Sequence, residues 1–217
     1  LSTNNHDPKI LAAKLDSFKE GDLVAEATSK KASEWLPSHS KKKLAVLDLG
    51  SSRSLNGLLS QYFQIKLYPA KTKAEVLLAE APDGIFISSG PGSPESIPDV
   101  IGEVKKLINK VPLSGAGLGH HVLGSALGAK VNKMKAGHHG ANHPVRRVDN
   151  GQDEITVQNH SYTLDPESLK KCGAEIFETN VNDNTAESMR SVKNKIFSTE
   201  YFPLNLDEFK KFFRAVP

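Results

Sequence analysis

Between Pro112 and His121 the chain reads Pro-Leu-Ser-Gly-Ala-Gly-Leu-Gly-His-His, and no other stretch restricts the fold so strongly. The apolar residues Val111 to Leu113 predict a buried strand, and Gly115, Gly117 and Gly119 predict a turn too tight for most side chains. A helix is expected from about His120 to Leu127, with Val122, Leu123 and Ala126 on its inner face. A strand, a sharp turn and a helix in that order are the construction of a nucleophile elbow, whose reactive side chain sits mid-turn. Here the middle residue is Gly117, which has no side chain to react.

The elbow belongs to a longer alternation that begins at Leu44. Leu44-Ala-Val-Leu-Asp-Leu49 is a continuous apolar run, as expected of a strand buried on both faces. A helix carrying Leu55, Leu58, Leu59 and Phe63 follows, then a strand Ile65–Tyr68 and a helix through Val76, Leu77 and Leu78 that Thr72 can cap. Gly84–Ser88 reads as the third strand and leads into Ser89-Gly-Pro-Gly-Ser-Pro94; a helix over about 98–109 returns the chain to the elbow. Short apolar strands separated by amphipathic helices predict an α/β fold with a doubly wound, mostly parallel sheet. A ligand then belongs beyond the carboxyl ends of the strands, where the turns at Gly90–Gly92 and Gly115–Gly119 both fall.

After Lys130 the strands read as shorter and more polar: 144–148, 154–158, 175–180, 188–192 and 195–199. Asn150-Gly151 is a hairpin signal between two of them. The expectation is a small added antiparallel sheet, with Ile196–Ser198 returning to the main one. A closing helix over 206–213 is expected to pack Phe209, Phe212 and Phe213 as core. Residues 1–43 hold too little apolar material for a core of their own and read as the end of an amino-terminal domain plus a linker, with 44–217 as the main domain. Within them, a helix is expected to start at Asp7-Pro8 and to carry Ile10, Leu11 and Leu15.

Composition excludes more than it suggests. The chain has 24% charged and 38% hydrophobic residues and a net charge of +3, ordinary for a globular domain. Two short lysine clusters, Lys30-Lys31 and Lys41–Lys43, give no support for a nucleic-acid partner. No apolar run approaches the roughly 20 residues that span a bilayer, and no signal peptide is expected. The one cysteine, Cys172, rules out an internal disulfide and suits a reducing compartment: the cytoplasm, with the mitochondrial matrix as the alternative. It has no motif around it and reads as a half-buried structural residue.

Three blocks carry a resemblance. They are the elbow from Val111 to Gly124, Lys133-Met-Lys-Ala-Gly-His-His-Gly-Ala-Asn-His-Pro-Val145, and Gln158-Asn-His-Ser-Tyr162. Together they resemble the glutaminase domain of the carbamoyl-phosphate synthetase small subunit, a class I glutamine amidotransferase. Phe86–Pro94 is similar to the family's oxyanion loop, and Thr28–Trp35 to the segment leading out of its amino-terminal domain. The resemblance implies the amidotransferase fold and a cysteine–histidine–glutamate triad that hydrolyses glutamine and releases ammonia.

The triad itself does not carry over. The family elbow reads Gly-Ile-Cys-Leu-Gly-His-Gln where this chain has Gly115-Ala-Gly-Leu-Gly-His-His121, so Gly117 stands at the cysteine position. The family's closing motif reads roughly Phe-Ser-Val-Gln-Phe-His-Pro-Glu; Phe197-Ser-Thr-Glu-Tyr-Phe-Pro-Leu204 places Phe202 at the base and Leu204 at the orienting carboxylate. Glutamine contacts carried over by position fall at Gly90, Gly92, His121, Asn159, Ser161 and Tyr162, with the backbone N–H groups of Gly90 and Leu118 as an oxyanion hole. His121 replaces a glutamine and Ser161 a glycine, so weak or no glutamine binding is expected. The histidines His120, His121, His138, His139, His143 and His160 are read as no metal site, since neighbours in a strand face opposite ways and no paired carboxylate is evident.

The expectation is therefore a non-catalytic glutaminase-like domain, structural or regulatory partner of a synthetase that makes carbamoyl phosphate from ATP, bicarbonate and ammonia. The partner is the large subunit or a fused synthetase region, in pyrimidine, arginine or urea synthesis. No cofactor is expected in this domain; ATP and magnesium belong to the partner. The alternative is a free-standing pseudo-amidotransferase that binds a ligand or another protein.

Overall fold

The computed structural model describes residues 7–16, 21–35, 40–203, 209 and 211–212. The strands alternate with helices as the apolar spacing demands. In order they are α1 (Pro8–Asp16), α2 (Leu23–Ala27), β1 (Ser33–Trp35), β2 (Lys43–Asp48), α3 (Arg53–Ser60), β3 (Gln64–Pro69), α4 (Ala74–Ala79) and β4 (Gly84–Ile87). Then come α5 (Pro98–Leu107), β5 (Leu113–Ala116) and α6 (Leu118–Leu127), which form the elbow and the helix leading to it. The remainder is β6 (Val131–Arg147), β7 (Asp153–Leu164), α7 (Pro166–Lys171), β8 (Glu175–Asn180), β9 (Ala186–Ser191) and β10 (Ile196–Thr199).

The ten strands among the described residues share one sheet, ordered β1-β3-β2-β4-β5-β10-β9-β7-β6-β8. The run from β3 to β10 is parallel, and the rest is antiparallel. The antiparallel part is not a separate small sheet, because β9 pairs with β10 and so extends the parallel core. Two of its strands, β6 and β7, are also longer than their polarity suggested. The block Lys133–Val145 is one continuous strand in β6, and register shifts on either side of His138–Gly140 interrupt its pairing with β7. Polar residues tolerate this length because β6 and β7 are largely half-exposed and satisfy each other's backbone. The Asn150-Gly151 hairpin lies between them, with Gly151 at φ +72°.

Both faces of the parallel region are covered, which explains its unbroken apolar strands. Ala45, Leu47, Ile85, Ile87 and Leu113 pack under α4, α5 and α6; Leu44, Val46 and Phe86 pack under α3 and Phe209. Phe209 stands 5.7 Å from Phe86 and 5.1 Å from Phe197, and Phe212 stands 6.1 Å from Phe197, so the expected aromatic packing holds for these two. Phe213 and residues 204–208 lie outside the described residues.

Three local expectations need correction. The elbow strand spans Leu113–Ala116 rather than 111–113, and α6 starts at Leu118, before His120. Thr72 does not cap α4; Lys73 is the capping residue and makes no side-chain bond there. Instead Glu103, reaching across from α5, accepts the Ala74 N–H at 2.9 Å and is joined by Lys73 and Lys106. A tertiary carboxylate thus does the work that a local hydroxyl was expected to do.

The segment before β2 leans on the domain. Val24 of α2 is buried in the core, Thr28 Oγ1 donates to the Asp48 carbonyl, and β1 pairs with the edge of β3. Residues 21–35 are thus tied to the sheet, while Ile10 of α1 is 44% exposed.

Candidate functional site: a cavity above the elbow

The elbow has the geometry that its glycines require. Gly117 adopts φ +55° and ψ −121°, a backbone conformation that side chains rarely take, and its N–H donates to the Thr199 carbonyl at 2.9 Å. A Cβ at Gly119 would lie 2.1 Å from the Ile87 carbonyl oxygen, and one at Gly90 would lie 2.1 Å from that of Leu49. These glycines let α6 and the Ser89–Ser93 loop press directly onto the strand ends. Ser88 holds that loop in place: its Oγ accepts from Leu49 N and donates to the Ser89 carbonyl.

Above the elbow lies a cavity of about 620 Å³. Gly90, Gly92, Leu118, His121, Asn159, Ser161 and Tyr162, separated in sequence, all line it, as do Gly117 and Phe202. Phe202 reaches it through a bridge to β7, its N–H donating to Val157 O at 3.2 Å. Leu204 lies outside the described residues, and Cys172 is no part of the cavity wall; Cys172 packs beside the core at the end of α7. The parallel register of β10 on β5 pairs Thr199 with Ala116, which carries Glu200 to the cavity floor beside Gly117.

Glu200 is the residue that sequence reasoning passes over. Its side chain is fully buried, with His121 Nε2 2.7 Å from Oε2, His160 Nδ1 3.5 Å from Oε1 and His120 Nε2 3.8 Å from Oε2. Burial alone would raise its pKa; the imidazoles, His121 foremost, hold it below the ordinary carboxylate value. Burial pushes His120 down to about 4, so its ring is neutral at pH 7, with Nδ1 hydrogen-bonded to Ser198 Oγ at 2.8 Å. His160 is lowered by the same cause. The signal is present in the closing motif, where Glu200 stands in place of the family glutamine, as His121 does at the elbow.

A second cluster shares His160 with the first. His138 of β6 and His160 of β7 are register partners, and Glu187 of β9 joins them, with their ligand-type atoms within 4.8 Å of one another. The carboxylate that was not evident from the sequence therefore exists, supplied by a strand remote along the chain. These three residues could hold a metal ion, yet they are already joined within the protein. Gln158 Nε2 donates to Glu187 at 2.9 Å, Gln158 Oε1 faces His160 at 3.1 Å, and Thr185 Oγ1 donates to Glu187 at 2.9 Å. Burial, then the nearby Glu200 charge, pushes Glu187 up to about 7. His139 points the other way, to Asn159 Oδ1 at 2.8 Å, as alternation along a strand requires.

The elbow, the glycine loop and the cavity over the sheet's carboxyl edge match what comparison with known proteins finds. Residues 45–203 match the family described as Glutamine amidotransferase class-I. The chain is 38% identical over 200 residues to the chloroplastic carbamoyl phosphate synthase small chain of Oryza sativa subsp. japonica, covering 90% of this chain and 45% of that one. It is 44% identical over 149 residues to the carbamoyl phosphate synthase small chain of Akkermansia muciniphila (69% and 40%), and 35% identical over 221 residues to that of Aquifex aeolicus (94% and 59%). It thus spans about half the length of the curated relatives it matches. Among solved structures, a glutamine amidotransferase of Thermotoga maritima superimposes with a TM-score of 0.57 at 16% identity, covering 80% of this chain and 84% of that one. That likeness shows the fold alone. No helix among the described residues is long and apolar enough to cross a membrane. On the match over residues 45–203 and the fold that carries it, the chain belongs to the class I glutamine amidotransferases.

Proposed function

We propose that this chain is a glutaminase-like domain of a carbamoyl-phosphate synthetase that has lost glutamine hydrolysis and serves as a structural or regulatory partner of the synthetase. The observation that carries the reading is the cavity itself: Gly117 stands at the nucleophile position of the elbow and Phe202 in the wall. A class I glutaminase needs a thiolate and a base within hydrogen-bond reach of it. Neither a glycine nor a phenylalanine side chain can donate or accept a proton. The backbone donors at Gly90 and Leu118 remain in the wall, but polarising a carbonyl without a nucleophile leads to no acyl-enzyme.

The small-chain relatives support the partner side of the reading. On it, the synthetase takes free ammonia, ATP and bicarbonate, with ATP and magnesium on the large subunit or a fused region and none in this domain. The single Cys172, unpaired, fits a reducing compartment such as the cytoplasm. The test is co-expression with a carbamoyl-phosphate synthetase large subunit followed by assays with glutamine and with ammonium. Co-purification and carbamoyl phosphate from ammonium only are the expected results. Glutamine-dependent synthesis overturns the loss of hydrolysis, and failure to associate favours a free-standing binding module.

A further inference from the structure

Nine buried side-chain nitrogen or oxygen atoms among the described residues have no hydrogen-bond partner, and four of them gather around Glu200: both of its carboxylate oxygens, His121 Nε2 and, behind the cavity wall, His120 Nε2. The His121–Glu200 contact is close at 2.7 Å, yet it is not aligned as a hydrogen bond. Buried polar atoms are nearly always hydrogen-bonded, so four atoms that meet only as ion-pair contacts around one wholly buried carboxylate need an explanation. Packing does not supply one, because Glu200 and His121 both border the open cavity.

The chemistry of these atoms selects a ligand. Glu200 is an acceptor only, and His120, whose Nδ1 is held by Ser198 Oγ, leaves its Nε2 3.8 Å from Glu200 Oε2 without a hydrogen bond. Such a set wants N–H donors and a positive charge. An anion is repelled by Glu200. A glutamine side-chain amide satisfies the acceptors in part and leaves the buried charge unbalanced.

We propose that the Glu200 end of the cavity binds a nitrogen cation bearing N–H groups, either ammonium itself or the alkylammonium or guanidinium end of a basic amino acid. The cation sits against Glu200, and it takes over from His121 as the partner of the carboxylate. For an amino-acid ligand, the backbone of Gly90–Gly92 and Lys133, which lie in the same wall, are available to its carboxylate. The inference rests on the reading that glutamine chemistry has left this cavity, but it is read by binding and not by turnover. Failure of one therefore does not mimic failure of the other.

The full chain is titrated by calorimetry with ammonium chloride, methylammonium, lysine and arginine, with potassium chloride, zinc chloride and glutamine as comparators. Saturable binding of ammonium alone identifies the free ion; binding of lysine or arginine more tightly than ammonium identifies the amino-acid source. Glu200→Gln is expected to weaken either by tenfold or more, since a hydrogen bond to a charged group contributes about 1.5–3 kcal/mol. His121→Gln, which keeps the carboxylate and removes its competing partner, is expected to bind at least as tightly as the natural chain and covers the case that Glu200→Gln fails to fold. Equal binding of potassium, preference for zinc or glutamine, absence of saturable binding by any nitrogen cation, or loss of binding in a folded His121→Gln overturns the proposal.

Discussion

His121 Nε2 lies 2.7 Å from Glu200 Oε2, and the two side chains are 4% and 0% exposed. One comes from the first turn of α6 and the other from the residue after β10, so the contact exists only because β10 docks in parallel on β5. Removing one member strands the other in a buried site. Glu200→Ala and His121→Ala are each expected to lower stability by about 3 kcal/mol, in line with broken buried pairs. The double variant His121→Ala/Glu200→Ala removes both members and is expected to cost clearly less than the sum of the single changes. Urea unfolding of the four proteins gives the coupling; strict additivity shows that the pair does not interact.

On the proposed reading, Gly117→Cys is expected to show no glutaminase activity. The new thiol has Phe202 in the cavity wall where a base is needed, so no ammonia above blank is expected from glutamine. The change also costs stability, by about 1–3 kcal/mol, because φ is +55° there. The new Cβ stands 3.3 Å from that of Ser89, which adds to the strain. Ammonia release by this variant places the base elsewhere in the cavity.

Gly119→Ala tests the close approach of α6 to β4. Its Cβ falls 2.1 Å from the Ile87 carbonyl oxygen and 2.9 Å from that of Ser88, and neither is a side chain that can turn aside. The helix must shift, at a cost of about 1–3 kcal/mol or more. Gly57→Ala, in open space on α3, is the control and is expected to be neutral or slightly stabilising. Equal melting temperatures for the two variants contradict the packing seen here.

Glu103 sets an acid limit. The Ala74 N–H that it accepts, then Lys106 and Lys73, hold its carboxyl down to about 2 from an ordinary 4.5. A lowered folded value means stability present above 4.5 and lost as pH falls toward 2. Glu103→Gln is therefore expected to melt earlier than the natural chain at pH 7, with the gap closing between pH 4.5 and 2. A gap that is constant with pH assigns the effect to packing and not to charge.

Residues that act through their own backbone are legible in the amino-acid order alone. Gly117, Gly119 and Gly90 announce a tight turn and a close approach because glycine is the least strained solution to both. The alternation from Leu44 to Ala126 announces a parallel sheet covered on both faces, and the helices packed above and below it bear that out. Polarity misleads where β6 and β7 run long, since two half-exposed strands can keep pairing with little apolar content. Thr72 misleads because a local cap and a carboxylate from another helix satisfy the same N–H equally well.

By itself the sequence determined the elbow, the alternation of strands and helices from Leu44 to Ala126, and a glycine where the elbow's side chain would stand, since each depends on neighbours within a few residues. Only the tertiary structure decided that His120, His121 and His160 converge on Glu200, and that Glu187 meets His138. Those meetings depend on which strands lie side by side and in what register. The physical reason is that a buried charge is defined by what surrounds it, and those surroundings come from β5, β7, β9 and β10 together.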